Sequence, residues 1–492
     1  MTVIAGLDFG TSSVKLVVAT PDGEVLARAQ AAYATSTGLA GEAEQHPEDW
    51  WDAAAAAIAE TGIGERIDAI GLTGQMQDLI AVAGDRALRP ALLYSDTRAG
   101  TQHERLRAAA SDWERVTGNH QDPSNVAAKI AWLDEHEPAV LAGAEHLLFG
   151  APGYIAWRAT GVAACDVVTA STTGLLDVAA RGWFTELATA AGARIAQLPV
   201  LVGTDPGDAN VGALDAAAAR QLGVRAGIPV VHAMGDAGSA TDGLVGSEPG
   251  DAYIYLGTTG WLAAVTSAAA DAGVSPIHSL VMPGWEARLR IGAVQSAGSA
   301  ADWSRRTFFP GLDFASLEQL AADRVADAAA LAVRPLALPG LSGERTPVRD
   351  QRFRGAFVGV REATQPIDFH LAVLTGVALA LRHAADALGI VQERIPVVGG
   401  ASASPAWRQI LADVFGATVV TRHVDDPGTR SAHRAVVEAL GLPHRLAPLF
   451  EPRPDDVETA PSDAREAYEP LVETHRALYD ALTPTFHRLA RE

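Results

Sequence analysis

Thr2-Val3-Ile4-Ala5-Gly6-Leu7, then Asp8-Phe9-Gly10-Thr11-Ser12-Ser13, then Val14-Lys15-Leu16-Val17-Val18-Ala19 reads as strand, small polar turn and strand. β-branched and apolar residues fill the two outer runs, and the residues between them suit a turn. Pro21-Asp22-Gly23 turns the chain again into Val25-Leu26-Ala27. The plan returns in mid-chain. Asp251 to Leu256 predicts a strand, Gly257-Thr258-Thr259-Gly260 a tight turn, and Trp261 to Thr266 its partner strand. Two such units far apart in one chain predict duplicated lobes rather than a short-period repeat. Pro47-Glu48-Asp49-Trp50-Trp51 opens an alanine-rich helix, Pro366-Ile367-Asp368 opens another that runs to Leu388, and Arg465 to Arg488 forms the last. Short strands recur at Ala69 to Leu72, Val230 to Ala233 and Pro396 to Val398, so the chain is α/β with mixed sheets. Leu201 to Ala213, rich in Gly, Pro and Asp, is the expected bridge between lobes.

The 492 residues allow two to four domains, at ~150 residues each. Apolar residues make up 48% and charged residues 20%, the usage of a globular protein. Acidic residues number 59 against 38 basic ones, a net charge of −21. Such a surface repels polyanions, which excludes nucleic acid and anionic membranes as expected partners. An anionic ligand must then be held by local donors or a metal. Neither of the two lysines, Lys15 and Lys129, follows a glycine, which excludes a P-loop. Cys165 is the single cysteine, so no intrachain disulfide or cysteine zinc cluster forms, as suits a reducing cytoplasm. No signal peptide is expected from the first residues. The longest apolar stretch, Leu371 to Leu381, falls short of the ~20 residues a bilayer requires.

Six stretches carry candidate chemistry. In Asp8 to Ser13 the small residues let N–H groups and hydroxyls approach phosphate oxygens, and Asp8 suits a magnesium ion, directly or through water. The same residues also make an ordinary hairpin turn. Gly257-Thr258-Thr259-Gly260 has the same two readings, and a triphosphate held between lobes needs one donor loop from each side. Asp236 follows the Val230 to Ala233 strand, where a carboxylate is placed either to take a proton from a hydroxyl or to cap the next helix. Asp242 reads as structural. In Pro396 to Pro405, Gly399 and Gly400 let the flat face of a base pack on backbone, or simply join strand to helix. Gly71 to Asp78 and Tyr94 to Arg98 carry polar groups suited to a polyol, while His46 and His103 read as surface histidines. No Gly-x-Ser-x-Gly elbow and no glycine-rich dinucleotide fingerprint appears, which sets aside a serine hydrolase and an oxidoreductase.

Together these segments resemble the FGGY family of carbohydrate kinases, among the actin-like ATPase folds, and within it the xylulokinase branch. The resemblance runs over nearly the whole chain. It takes in Asp8 to Ser13, Glu44-Gln45-His46-Pro47 with Trp50-Trp51, Gly71 to Met76, Ser95-Asp96-Thr97-Arg98, and Lys129 with Trp132. It continues through Gly235-Asp236, Gly257 to Gly260, Leu338 to Pro347 and Gly399-Gly400-Ala401. It implies two actin-like (ribonuclease H-like) domains, 1–244 and 245–492, each a mixed β-sheet flanked by helices, closing over a central cleft. ATP would lie mostly against the second domain and a sugar against the first. By position, Asp236 would be the general base and Gln75, Met76, Gln77 and Asp236 would touch the sugar. Gly10, Thr11 and Ser12 would steady the γ-phosphate, Gly257, Thr258 and Thr259 the rest of the phosphate chain, and Gly399, Gly400 and Ala401 the adenosine. Asp8 would position a hydrated Mg2+. A cytoplasmic enzyme, and a homodimer as in other members of the branch, complete what the resemblance implies.

Two departures stand out. Xylulokinases carry Gly-Gln-Met-His-Gly where this chain has Gly74-Gln75-Met76-Gln77-Asp78, so the histidine that touches the sugar is an amide here. The expected substrate is a ketopentose such as D-xylulose, with ribulose, a tetritol or glycerol as alternatives. A non-catalytic sugar or nucleotide sensor is the remaining reading. The second departure is Asp425 to Leu440, where the family has a glycine- and alanine-rich helix and this chain places Gly428-Thr429-Arg430-Ser431-Ala432-His433-Arg434.

Overall fold

The computed structural model describes residues 2–205, 207–270, 275–325 and 327–490. The opening run folds as β1 (Ile4–Phe9), β2 (Ser13–Ala19) and β3 (Val25–Ala32), each antiparallel to the last. Asp8 and Phe9 belong to β1, paired with Lys15 and Val14, so the turn is shorter than the sequence suggests. Phe9 is buried, and that burial extends the strand past the first polar residue. Helix α1 (Pro47–Thr61) starts on Pro47 and ends at Gly62 in the left-handed conformation (φ 67). β4 (Ala69–Gly74) then lies parallel to β1.

After α2 (Val126–His136) and α3 (Ala151–Thr160) come β5 (Asn210–Ala213), β6 (Pro229–His232) and α4 (Asp236–Leu244). Among the described residues the first sheet has six strands in the order β5-β6-β4-β1-β2-β3. The expected bridge at 201–213 instead supplies the edge strand β5, and the chain passes to the second sheet between Leu244 and Ala252. The stretch still touches the second lobe, where Gly284 N–H donates to Gly203 O at 2.9 Å.

The second sheet uses β7 (Ala252–Leu256), β8 (Gly260–Ser267), β9 (His278–Val281) and β10 (Ala287–Val294). α5 (Gly298–Phe308), α6 (Phe314–Val325) and α7 (Pro366–Leu388) precede β11 (Arg394–Val398). The chain ends in α8 (Pro405–Phe415), β12 (Thr418–Thr421), α9 (Pro427–Ala439), β13 (Val457–Thr459) and α10 (Arg465–Leu489). The order is β9-β10-β8-β7-β11-β12-β13. From β3 to β5 the neighbours pair antiparallel, antiparallel, parallel, parallel, antiparallel, and β10 to β13 repeats that sequence of pairings. The duplication read from two hairpins therefore extends to whole sheets.

Each sheet has its own core. Leu7, Phe9, Trp50, Trp51 and Tyr154 fill the first, and Ile254, Leu371, Leu374, Trp407 and Ile410 the second. Among the described residues α7 is the one helix long and apolar enough to cross a bilayer, with mean hydropathy 1.4. It is the central core helix, and 78% of its most apolar window is buried. The two halves also interlock. α9 packs against β1, β4, β6 and α4 of the first lobe, and Gly6 and Gly71 make room for it. A Cβ on Gly6 would stand 2.7 Å from the His433 ring, and one on Gly71 2.5 Å from Ala432 O.

Candidate active site

The first turn is braced from beneath and left open above. Gly10 N–H donates to Ser13 O (3.0 Å), Tyr33 N–H to Ser12 O (3.1 Å), and the Tyr33 hydroxyl to Gly10 O, while the Thr11 and Ser12 side chains stay exposed. The Gln45 amide donates to Thr11 O at 2.7 Å, and its Oε1 accepts from Trp50 Nε1 at 2.8 Å and Gln75 Nε2 at 3.1 Å. This network explains why Gln45, Trp50 and Gln75 accompany the turn in the sequence. Gln75 is 1% exposed, and among the described residues its Oε1 has no hydrogen-bond partner.

Asp8 ends β1 half-buried. Burial, relieved in part by Lys15 and reinforced by Asp426, pushes its carboxyl up to about 6. Asp236 heads α4. The approach to it is fixed by Met234 O, which accepts from Thr73 Oγ1 and Ser239 Oγ, each at 2.7 Å. Buried Asp166 takes the Gly235 N–H at 3.0 Å. A Cβ on Gly235 would overlap Met76 and come within 2.6 Å of the Thr169 hydroxyl, so glycine here lets Met76 lie against the Asp236 segment. The Asp236 side chain is open to solvent between buried Gly235 and Gly238. Desolvation by the protein around the carboxyl, with the charge of Asp8, pushes it up to about 7. A carboxylate of that basicity at neutral pH suits proton abstraction from a hydroxyl.

Gln77 and Asp78 follow Met76. Gln77 sits at φ 66, with its carbonyl accepting from Lys129 Nζ at 2.8 Å and its amide donating to Ser124 Oγ at 2.9 Å. Asp78 is fully buried and takes the Tyr94 N–H on Oδ1 at 2.9 Å. Burial drives Asp78 up and Lys129 down, and each charge partly restores the other. Met76, Met234, Tyr255 and Trp261 share one apolar cluster joining the lobes, with the Tyr255 and Trp261 rings stacked at 3.9 Å.

In the second lobe Gly257, Thr258, Gly400 and Ala401 meet in a cavity of about 760 Å³. Two motifs widely separated in sequence therefore share one pocket. Its other walls include Gly298, Ser299, Asp302, Glu318 and Trp407. The turn is locked by α5, where Gly298 N–H donates to Gly257 O (2.8 Å) and Ser299 N–H to Thr258 O (3.1 Å). Thr259 O accepts from Gly257 N–H at 2.9 Å and closes the turn. Gly399 stands behind the pocket at φ 96, where a Cβ would overlap Leu256 O. His103, expected at the surface, is 3% exposed with its ring 5.6 Å from Trp113; His46 is exposed as expected.

Residues 3–243 match the N-terminal-domain model of the FGGY family of carbohydrate kinases, and residues 252–429 match the C-terminal-domain model of that family. The xylulose kinase of Escherichia coli strain K12 is 32% identical over 488 residues, covering 97% of this chain and 99% of that one. The crystal structure of a xyloylose kinase from Brucella ovis superposes with a TM-score of 0.85 at 28% identity, over 98% of this chain and 100% of the other. A gluconate kinase from Lactobacillus acidophilus superposes at 0.87 with 24% identity, over 99% and 100% of the two chains, which is a likeness of fold.

Proposed function

The chain belongs to the FGGY family of carbohydrate kinases, and we propose that the sugar it phosphorylates is a ketopentose such as D-xylulose. Family membership makes it a sugar kinase with ATP as phosphoryl donor. The finer reading draws on the xylulose kinase from Escherichia coli, which it resembles along its length. The single observation that carries the mechanism is the Asp236 carboxyl exposed at the head of α4, where desolvation and the charge of Asp8 push it up to about 7.

Asp236 takes the proton of a sugar hydroxyl as that oxygen bonds to the γ-phosphorus. The bond from the γ-phosphorus to the β–γ bridging oxygen breaks, giving ADP and a sugar phosphate. Little covalent work falls to the protein in phosphoryl transfer; alignment and charge stabilisation dominate. Thr11 and Ser12 offer donors to the γ-phosphate on a turn that Gly10 shapes beneath them, and Gly257, Thr258 and Thr259 form the turn for the rest of the phosphate chain. Gly400 and Ala401 line the adenosine pocket, with Gly399 setting their path. Met76 and Gln77 face the sugar beside Asp236.

Asp8 is the group suited to hold magnesium. Among the described residues no three or more metal-binding side chains cluster, which fits an ion bound through one carboxylate, waters and phosphates. Its raised carboxyl is a charge that a cation would relieve. Bound there, Mg2+ supplies neutralisation of phosphate charge. The same reading carries the homodimer and the cytoplasmic setting.

Gln77 and Asp78 favour a second substrate reading, a related ketose such as ribulose, since an amide satisfies a different hydroxyl pattern from an imidazole. Sugar-dependent ADP release over a panel of ketoses, aldoses and polyols separates the readings. D-xylulose as the best substrate supports the first, ribulose the second, and no sugar-dependent release contradicts both.

A further inference from the structure

Gln77 is the one residue of the expected sugar site whose backbone adopts the left-handed region, rare for a residue with a Cβ. It is pinned there. The wholly buried Lys129 ammonium donates to Gln77 O at 2.8 Å and to Leu93 O at 2.6 Å. The side chain is then held by a directed chain of hydrogen bonds. Ser124 Oγ lies 2.6 Å from Asp122 Oδ1, and an ionised carboxylate has only lone pairs to offer. The hydroxyl hydrogen therefore goes to Asp122, and the serine oxygen can only accept from its other neighbour. That neighbour is the Gln77 amide at 2.9 Å, so its –NH2 end faces Ser124 and its Oε1 end faces away. Among the described residues nothing donates to Gln77 Oε1.

Asp122 stays ionised in this setting. Burial opposes its charge, but the Ser124 hydroxyl, the Ser124 N–H at 2.9 Å and the Arg349 guanidinium outweigh burial and hold the carboxyl below its usual range. Arg349 comes from the second half of the chain, and its Nη2 stands 3.3 Å from Asp122 Oδ2. The loop carrying Asp122 is tied to that half a second time. Asn119 donates to Ser279 O at 2.6 Å and accepts from Ser279 N–H at 2.7 Å, on the edge strand β9. The anchor of the Gln77 amide is thus a contact between lobes.

The geometry points to Ser124, Asp122 and Arg349 as positioning residues that hold the Gln77 side chain with its carbonyl oxygen toward the cleft, so that the site selects a sugar hydroxyl able to donate at that point. This rests on the reading of Gln77 as a sugar-binding residue. An acceptor left unpaired discriminates against a sugar lacking a hydroxyl at that position, and an amide not held by Ser124 would not keep that acceptor in place.

The test is steady-state kinetics of the full chain with saturating ATP and whichever of D-xylulose and D-ribulose the wild type uses better. Ser124→Ala and Asp122→Asn should each raise KM for the sugar about tenfold with kcat within about threefold, the split expected when ground-state and transition-state binding are lost equally. Ser124→Thr should return KM to within about threefold of wild type, and Arg349→Gln, outside the loop itself, should shift KM the same way by a smaller factor. A KM rise below about threefold in both Ser124→Ala and Asp122→Asn, or a loss in kcat at unchanged KM, overturns the inference. If either loop variant does not fold, a rise with Arg349→Gln supports it and an unchanged KM overturns it. Activity of the wild type toward neither sugar contradicts the ketopentose reading itself and removes the premise.

Discussion

Gly428, in the first turn of α9, packs so tightly against Asp8 at the end of β1 that a Cβ there would overlap the carboxylate Oδ2. A helix from the second half of the chain therefore sets the carboxylate beside the first polar turn. The same helix also reaches α4. Arg434 pairs with Asp242 at 3.1 Å, and Asp242 lies on α4, the helix that Asp236 heads. Asp426, just before α9, pairs with Lys15 at 3.5 Å and with Arg28, which fastens its start to β2 and β3.

Gly428→Ala is expected to displace Asp8 while leaving the sheets intact. Active-site displacement of about 1 Å costs about 10²-fold in rate, so kcat should fall at least ~10-fold. The measurement is kcat as a function of Mg2+ concentration, with the magnesium requirement shifted upward.

The pH profile follows from Asp236. Its carboxyl, pushed up to about 7 by burial and by Asp8, must be ionised to accept a proton. Hence kcat/KM should rise with pH through about 7 and level off above it, and fall on the acid side. Asp8, raised to about 6, steepens the acid limb. A pH–rate series from pH 5 to 9 checks the sign.

Lys129→Met removes the charge that stands beside Asp78 and the donor to Gln77 O and Leu93 O. Both side chains are fully buried, so the variant should lose about 3 kcal/mol, the scale of an uncompensated buried charge. Adding Asp78→Asn should recover part of that loss. Urea unfolding of the single and double variants measures it.

Gly399→Ala meets two obstacles at once, a φ of 96 and an overlap with Leu256 O. A left-handed non-glycine residue costs about 1–3 kcal/mol. The adjoining Gly400 and Ala401 should shift with it, raising KM for ATP while KM for the sugar holds, as a two-substrate kinetic analysis reports.

The fold was legible because both hairpins and the buried strands are periodic over short windows, and local pattern is enough to fix strand, turn and helix there. What the pattern hides is close approach between distant segments. The unusual Arg430-Ser431-Ala432-His433 stretch looks out of place in sequence, yet the His433 ring fits over Gly6 and lies within hydrogen-bonding distance of Thr429 O (2.6 Å) and Ile4 O (3.1 Å). Gly6 reads as an ordinary strand residue until the helix is set on it. His103 looked like a surface residue because nothing nearby in sequence foretells that Trp113 covers it. Of the second-lobe cavity, the glycine turns were visible as motifs, whereas Asp302, Glu318 and Trp407 are common residue types on common helices, and only the packing of α5, α6 and α8 brings them to one wall. Asp166 was missed for the same reason. It accepts the backbone N–H groups of Thr169 and of Gly235, the second contributed from another part of the chain.

Proton removal by Asp236 is the step on which the proposed transfer turns. Its most direct test is Asp236→Asn in a coupled assay of ADP release at saturating ATP and sugar, with sugar affinity measured separately by titration calorimetry. The account predicts a loss of at least ~10²-fold in kcat with sugar binding roughly intact. Turnover near that of the wild type would contradict it.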